Sequence, residues 1–120
     1  MKFCWTTISV SDIDKSIKFY QEIIGLKLTR RIEPNEEMDI AFLGEGDTQI
    51  ELVFNKQNAA PGFGTDISLG FIIDSTDRFI EELKTKGISI HSGPFQPNPH
   101  IRFFYIQDPD GLKIQFVENI

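Results

Sequence analysis

Two residues whose side chains could bind a ligand, Glu51 and Gln115, occupy matching places in two similar segments. Each lies in a run with strand-like alternation that follows a tight turn, at residues 44–47 in one case and 108–111 in the other. Positions 51 and 115 are 64 residues apart, which is more than half of the 120-residue chain. This spacing indicates an internal duplication and predicts that Glu51 and Gln115 face one shared cavity.

The first predicted strand, residues 3–10, supplies further candidates. Its alternation places Trp5, Thr7 and Ser9 on one side. Trp5 is the only tryptophan, and an indole can stack on a flat or cationic ligand. We therefore expect Trp5 to share a pocket with Glu51 and Gln115.

The elements that would position these residues recur in both halves of the chain. In the first half, Ser11-Asp12 caps a helix over 13–24 that ends at Gly25, and further strands are predicted at 26–32, 38–43 and 48–55. In the second half, Asp74-Ser75 caps a helix ending at Gly87, and strands are predicted at 67–73, 88–90, 100–107 and 112–119.

Residues 92–99 interrupt this second half. Three prolines fall within six residues, at 94, 97 and 99. Proline lacks the backbone N–H that an inner strand or a helix requires. The segment is therefore predicted to be a stiff, extended flap without regular structure.

These patterns predict an α+β fold in which two tandem βαβββ modules form a curled mixed sheet around a cavity. The modules span about 1–55 and 66–120, and residues 56–65 link them within a single domain covering 1–120. A concave sheet of this kind is by default a binding site for a small molecule.

The composition excludes other partners. Twelve basic and eighteen acidic residues give a net charge of −6, which repels a nucleic acid backbone. No stretch has the length and apolarity of a signal peptide or a membrane span, so we expect a cytoplasmic protein that does not bind a membrane.

The duplication, the turn Asp-Pro-Asp-Gly at 108–111 and a helix signature together resemble a known family. The signature is Val-Ser-Asp-Ile-Asp-Lys-Ser-Ile-Lys-Phe-Tyr at 10–20, followed by Gly25-Leu26. The resemblance is to the vicinal oxygen chelate superfamily, which includes glyoxalase I, bleomycin-resistance proteins and extradiol dioxygenases. It implies a small-molecule ligand and a homodimer.

In glyoxalase I, two histidines and two glutamates bind one divalent metal, and the resemblance places these four positions on Trp5, Glu51, Asp66 and Gln115. Only Glu51 keeps the ligand type. An indole N–H has no lone pair to offer a metal, and an amide cannot accept a catalytic proton. No cofactor is therefore expected, although Glu51, Asp66 and Gln115 could together hold a hard divalent cation.

The resemblance also suggests ligand contacts. Asn55 matches an asparagine that contacts glutathione in glyoxalase I, whereas the arginine partner of that asparagine falls on Ser9. Arg30, Arg31 or Arg102 could replace the missing guanidinium. His100, beside the proline-rich segment, would approach the ligand if a flap folded inward.

Three functions are open at this stage. The main hypothesis is a binding protein with a degenerate metal site that holds a planar or cationic small molecule, in the manner of bleomycin-resistance proteins. The alternative is a metal-dependent lyase similar to lactoylglutathione lyase, or a related enzyme, in which Glu51 is catalytic. A third is a regulatory or immunity module whose cavity is vestigial and whose surface binds another protein.

Overall fold

The computed structural model describes residues 1–120 and contains two compact units, Met1–Gly62 and Phe63–Ile120. Each unit has one open, four-stranded mixed sheet and one α-helix of ten residues. The predicted α+β class and the tandem βαβββ order are confirmed. The boundary between the units falls inside the segment predicted to be a linker.

The elements of the first unit are β1 (Trp5–Ser9), α1 (Ile13–Glu22), β2 (Leu28–Asn35), β3 (Met38–Leu43) and β4 (Gln49–Asn55), followed by a single 3-10 turn at Lys56–Asn58. Those of the second unit are β5 (Ser68–Ile72), α2 (Thr76–Thr85), β6 (Ser92–Asn98), β7 (Ile101–Gln107) and β8 (Lys113–Asn119). Neither helix is long and apolar enough to cross a membrane.

Both sheets have the same topology. The strand orders are β1-β4-β3-β2 and β5-β8-β7-β6, so that the first strand of each unit pairs in parallel with its last. The other pairings are antiparallel. Glu51 in β4 and Gln115 in β8 thus occupy the same place in their respective sheets, as the duplication predicts.

One face of each sheet is buried under its helix. In the first unit α1 packs over β3 and β4, where Ala41, Leu43 and Leu52 are completely buried. In the second unit α2 packs over β7 and β8, and the Phe79 ring stands edge-on to Phe116 with centroids 4.6 Å apart. Because side chains alternate along a strand, every second residue of each strand projects from the face opposite the helix.

Side-chain caps fix where both helices begin. The Asp12 carboxylate accepts a hydrogen bond from the backbone N–H of Lys15 at 3.1 Å, and Ser75 Oγ accepts one from Arg78 N–H at 3.3 Å. These bonds satisfy N–H groups that have no partner within the first turn. The predicted caps are confirmed.

The turn at 108–111 is built around the buried carboxylate of Asp108. Its Oδ1 accepts hydrogen bonds from the backbone N–H groups of Asp110 and Leu112, both at 2.9 Å. Gly111 takes a φ of +88°, a value that disfavours residues with a side chain. The turn thereby delivers the chain into β8 in a fixed register.

The prediction that residues 92–99 form an irregular flap is wrong. Most of this segment is the regular strand β6, whereas the predicted strand at 88–90 does not form. β6 is the edge strand of its sheet, so that Pro94 and Pro97 need not donate to a neighbour on their outer side. Register shifts on both sides of Phe95 accommodate the prolines.

A change at Gly93 tests how tightly β6 packs on β7. Gly93 has a φ of +96°, and a Cβ added there would lie 3.0 Å from Phe104 Cβ and 3.1 Å from the Phe103 carbonyl oxygen. We expect Gly93→Ala to lower the free energy of unfolding by about 2 kcal/mol or more, since the left-handed conformation alone costs about 1–2 kcal/mol. Urea unfolding measures the change.

Gly46→Ala is the matched control. A Cβ at Gly46 meets no atom within 4 Å, and the backbone φ there is not positive. Its stability should stay within about 0.5 kcal/mol of the wild type. Equal stability of the two variants would show that β6 is not held close to β7.

Candidate functional site

A row of side chains crosses the sheet of the first unit on the face opposite α1. The strand register aligns one residue from each strand, in the order Arg30, Phe42, Glu51 and Thr7. Residues directly opposite each other on neighbouring strands project to the same face. This cross-strand row therefore presents a guanidinium, a phenyl ring, a carboxylate and a hydroxyl group side by side.

The carboxylate of the row is anchored by its neighbour. Thr7 Oγ1 donates a hydrogen bond of 2.6 Å to Glu51 Oε1, and hydrogen bonds from a hydroxyl group to a carboxylate are among the stronger ones in proteins. Oε2 of Glu51 has no protein partner. Glu51 thus keeps one oxygen free to contact a ligand while the other holds the side chain in place.

The other end of the row lines a cavity of about 300 Å³, whose walls are Trp5, Thr29, Arg30, Phe42 and Gln49. The Arg30 guanidinium lies over the Phe42 ring at 4.5 Å from its centroid. Trp5 packs edge-on against the same ring at 5.4 Å and remains 43% exposed. A ligand on this face would therefore meet an accessible indole beside a cation.

The second unit carries the equivalent row with different chemistry. Its members are Ser92, Tyr105, Gln115 and Gly70, taken in the same strand order. Gly70 stands where the first unit has threonine, and Gln115 Nε2 instead donates to the Tyr105 hydroxyl at 3.2 Å. No carboxylate lies in this row.

A larger opening of about 650 Å³ lies beside β6 in the second unit, and its walls are Pro94, Phe95, Gln96, Pro97, Phe103 and Tyr105. The walls contain no Asp, Glu, Lys, Arg or His side chain. The row of the first unit, by contrast, contains two charged side chains, Arg30 and Glu51.

The remaining predicted site residues lie in several places. Ser9 is on β1 beside Val53 and shares the face of Trp5 and Thr7. Asn55 Oδ1 accepts a hydrogen bond of 2.9 Å from Gln57 N–H and so caps the 3-10 turn. Asp66 and His100 are exposed, Asp66 before β5 and His100 in the turn between β6 and β7.

The donors present do not suit a transition metal. Trp5 offers no lone pair, Glu51 has only one oxygen without a protein partner, and Gln115 is a neutral amide bound to Tyr105. No group of three or more His, Cys, Asp or Glu side chains lies close enough to hold a metal ion. Nickel and zinc sites rely on nitrogen or sulfur ligands, and none of these residues supplies one.

Sequence reasoning assigned no role in the site to Gln49 or Tyr105, and offered Arg30 only as one of three interchangeable arginines. Arg30 enters the row because β2 is irregular. Leu28 pairs with Leu43, but Arg30 pairs with Phe42, the adjacent residue of β3. The shift by one places Leu28 and Arg30 on opposite faces, which no alternation pattern in the sequence indicates.

Comparison with known proteins agrees with the fold and the order of its elements. A family model described as the glyoxalase/bleomycin resistance protein/dioxygenase superfamily matches residues 2–116. The chain is 34% identical to the lactoylglutathione lyase of Haemophilus influenzae, with 99% of this chain and 93% of that protein aligned. It is 37% identical to a probable chloroplastic lactoylglutathione lyase of Arabidopsis thaliana, over 92% of this chain but only 33% of the plant protein.

Among solved structures, the trypanothione-dependent glyoxalase I of Leishmania major superposes with a TM-score of 0.82. The two sequences are 23% identical, and the superposition covers 98% of this chain and 86% of the other. At this identity the likeness concerns the fold. The family model and the full-length relatives show that the chain belongs to the glyoxalase/bleomycin resistance protein/dioxygenase superfamily.

Proposed function

We propose that the protein is an enzyme of the lactoylglutathione lyase type in which Glu51 transfers a proton on a small-molecule substrate. The observation that carries this proposal is the Thr7–Glu51 pair, which fixes one carboxylate oxygen at 2.6 Å and leaves the other free. The relatives named lactoylglutathione lyase, 34% and 37% identical to this chain, support it. They favour catalysis over the simple binding protein that was the main hypothesis from the sequence.

The proposed reaction requires Glu51 to transfer one proton between two neighbouring carbons of the substrate. Conversion of a glutathione hemithioacetal into a lactoyl thioester moves the proton of the sulfur-bearing carbon to the neighbouring carbonyl carbon, while the hydroxyl proton passes from the oxygen of the first carbon to that of the second. One carboxylate can take up the carbon-bound proton and return it, provided that it stays next to both carbons. The bond from Thr7 restricts the rotation of Glu51, and the Phe42 ring beside it keeps part of the surrounding water away.

A variant at Glu51 tests this role. Glu51→Gln keeps the shape and can still accept from Thr7, but the amide cannot take up a proton. We expect thioester formation from methylglyoxal and glutathione, followed by absorbance, to fall by about 100-fold or more, the usual share of a general base. The control Asp47→Asn removes the same charge from a carboxylate that is 97% exposed, and it should retain full activity.

A second function is favoured by one observation. Trp5 is 43% exposed and stands edge-on to Phe42. The accessible indole could therefore stack on a planar molecule, which would be a binding role without chemistry. A wild-type protein that forms no thioester, but whose Trp5 fluorescence is quenched by planar compounds, would support this binding role and contradict the lyase.

We expect the metal content of this protein to differ from that of metal-dependent glyoxalases. Because Trp5 and Gln115 replace two ligands and Asp66 a third, we expect the purified protein to hold less than one equivalent of nickel, zinc or iron per chain. Elemental analysis measures this directly. One tightly bound transition metal per chain would contradict the prediction and would require ligands other than these.

We also propose that the protein forms a homodimer. Strands β1 and β5 are edge strands that pair on one side only within their sheets, and large apolar side chains near them, Phe3, Ile67 and Ile72, are exposed. Covering such edges is favourable. Sedimentation equilibrium at micromolar concentration should give twice the chain mass of 13.7 kDa, whereas a monomer alone would rule the dimer out.

A further inference from the structure

We propose that Arg30 forms a subsite for a carboxylate group of the ligand, at the opposite end of the cross-strand row from Thr7. This subsite rests on the proposed function, because the ligand would bind the same face of the first sheet that carries Glu51. It assigns a chemical class to that ligand: a small molecule that carries a carboxylate next to a planar or apolar group.

The adjacent residue on the same strand shows what is unusual about Arg30. Arg31 donates to Asp39 and Asp14 at 2.8–3.1 Å, and these carboxylates raise the pKa of Arg31 above its ordinary value. Arg30 forms no ion pair or hydrogen bond, and its guanidinium lies over the Phe42 ring. In a chain of net charge −6, an arginine without an acidic partner that also lines a cavity has its full charge available to a ligand.

The Phe42 ring restricts the motion of this guanidinium. The guanidinium carbon lies over the ring, 4.5 Å from its centroid, and the N–H donors form no bond within the protein. A planar fork of donors matches the two oxygens of a carboxylate. Less side-chain entropy is lost on binding than for an arginine that moves freely, because the ring already restricts Arg30.

The hydrogen-bond donors of Gln49 and Thr29, the other polar groups of the cavity, are already used within the protein. The Gln49 amide donates to Thr29 Oγ1 at 3.1 Å and to the Gly44 carbonyl at 2.9 Å, so both of its N–H groups are used. Thr29 Oγ1 in turn donates to the Phe42 carbonyl at 3.1 Å. The donors that remain free are the Arg30 guanidinium and the Trp5 indole N–H, and neither group can accept a hydrogen bond.

The spacing of the row relates this subsite to Glu51. Arg30 and Glu51 lie on strands separated only by β3, so their backbones are about 10 Å apart at the usual strand spacing. A ligand whose carboxylate binds Arg30 can therefore extend over Phe42 and Trp5 and place its reacting end at Glu51. The cationic ligand expected from the sequence is disfavoured here, because Arg30 would repel it.

Three probes that share one planar body but differ in charge test the subsite. Naphthoate is anionic, naphthamide neutral and naphthylmethylammonium cationic, and calorimetric titration of the wild-type protein compares their affinities. We expect naphthoate to bind at least about 10-fold more tightly than naphthamide, and the cation to bind most weakly. The Trp5 indole N–H resonance should shift on addition of naphthoate.

Variants then assign the preference to Arg30. Arg30→Gln should remove the difference between naphthoate and naphthamide, and Arg30→Lys should keep part of it, since the ammonium retains the charge but not the planar fork. Arg31→Gln is the matched control, with the same loss of charge one residue along the strand, and it should preserve the preference. Circular dichroism checks that each variant is folded.

The outcomes distinguish the subsite from the lyase activity. Equal binding of the three probes, or a preference that survives in Arg30→Gln but disappears in Arg31→Gln, would overturn the subsite. Selective binding of naphthoate through Arg30 supports it even if no thioester is formed, in which case only the proposed activity fails. Turnover without any preference for the anion would leave the activity standing and contradict the subsite.

Discussion

The parallel pairing of the first strand with the last strand of each unit is the constraint on which the site depends. Parallel neighbours require a long connection, and α1, β2 and β3 together provide it in the first unit. This pairing places Thr7 opposite Glu51, two residues that are 44 positions apart in the chain. A shift by one residue would turn Thr7 to the other face and leave the carboxylate without its hydrogen bond.

The same constraint operates in both units, but the side chains that it aligns have diverged. Glu51 is replaced by Gln115, Thr7 by Gly70, and Arg30 by Ser92. With no threonine beside it, Gln115 bonds to Tyr105 instead. The fold thus repeats, while the charged side chains of the row, Arg30 and Glu51, belong to the first copy only.

The aromatic residue of the row has a cation near its ring in each unit, but the cation comes from a different strand of the sheet. Phe42 and Tyr105 each carry a cation near the ring, Arg30 at 4.5 Å and Lys113 at 5.2 Å. Lys113 comes from β8 itself, whereas Arg30 comes from β2, on the far side of β3 from Glu51. Only the row of the first unit therefore has a cation on the strand to one side of the ring and a carboxylate on the strand to the other side.

The sequence by itself determined the fold class, the duplicated order of elements, the helix caps and the turn at 108–111, because these depend on local spacing and on residues such as Asp12, Ser75 and Gly111 whose preferences are intrinsic. It also placed Trp5, Thr7 and Ser9 on one face. The position of Arg30 and the strand conformation of residues 92–98 were decided only by the tertiary structure. The irregular pairing of β2 turned Arg30 onto the ligand face, and the edge position of β6 made a strand of a proline-rich segment. Both outcomes depend on which strand lies alongside and in what register, and residues distant in the chain set that arrangement.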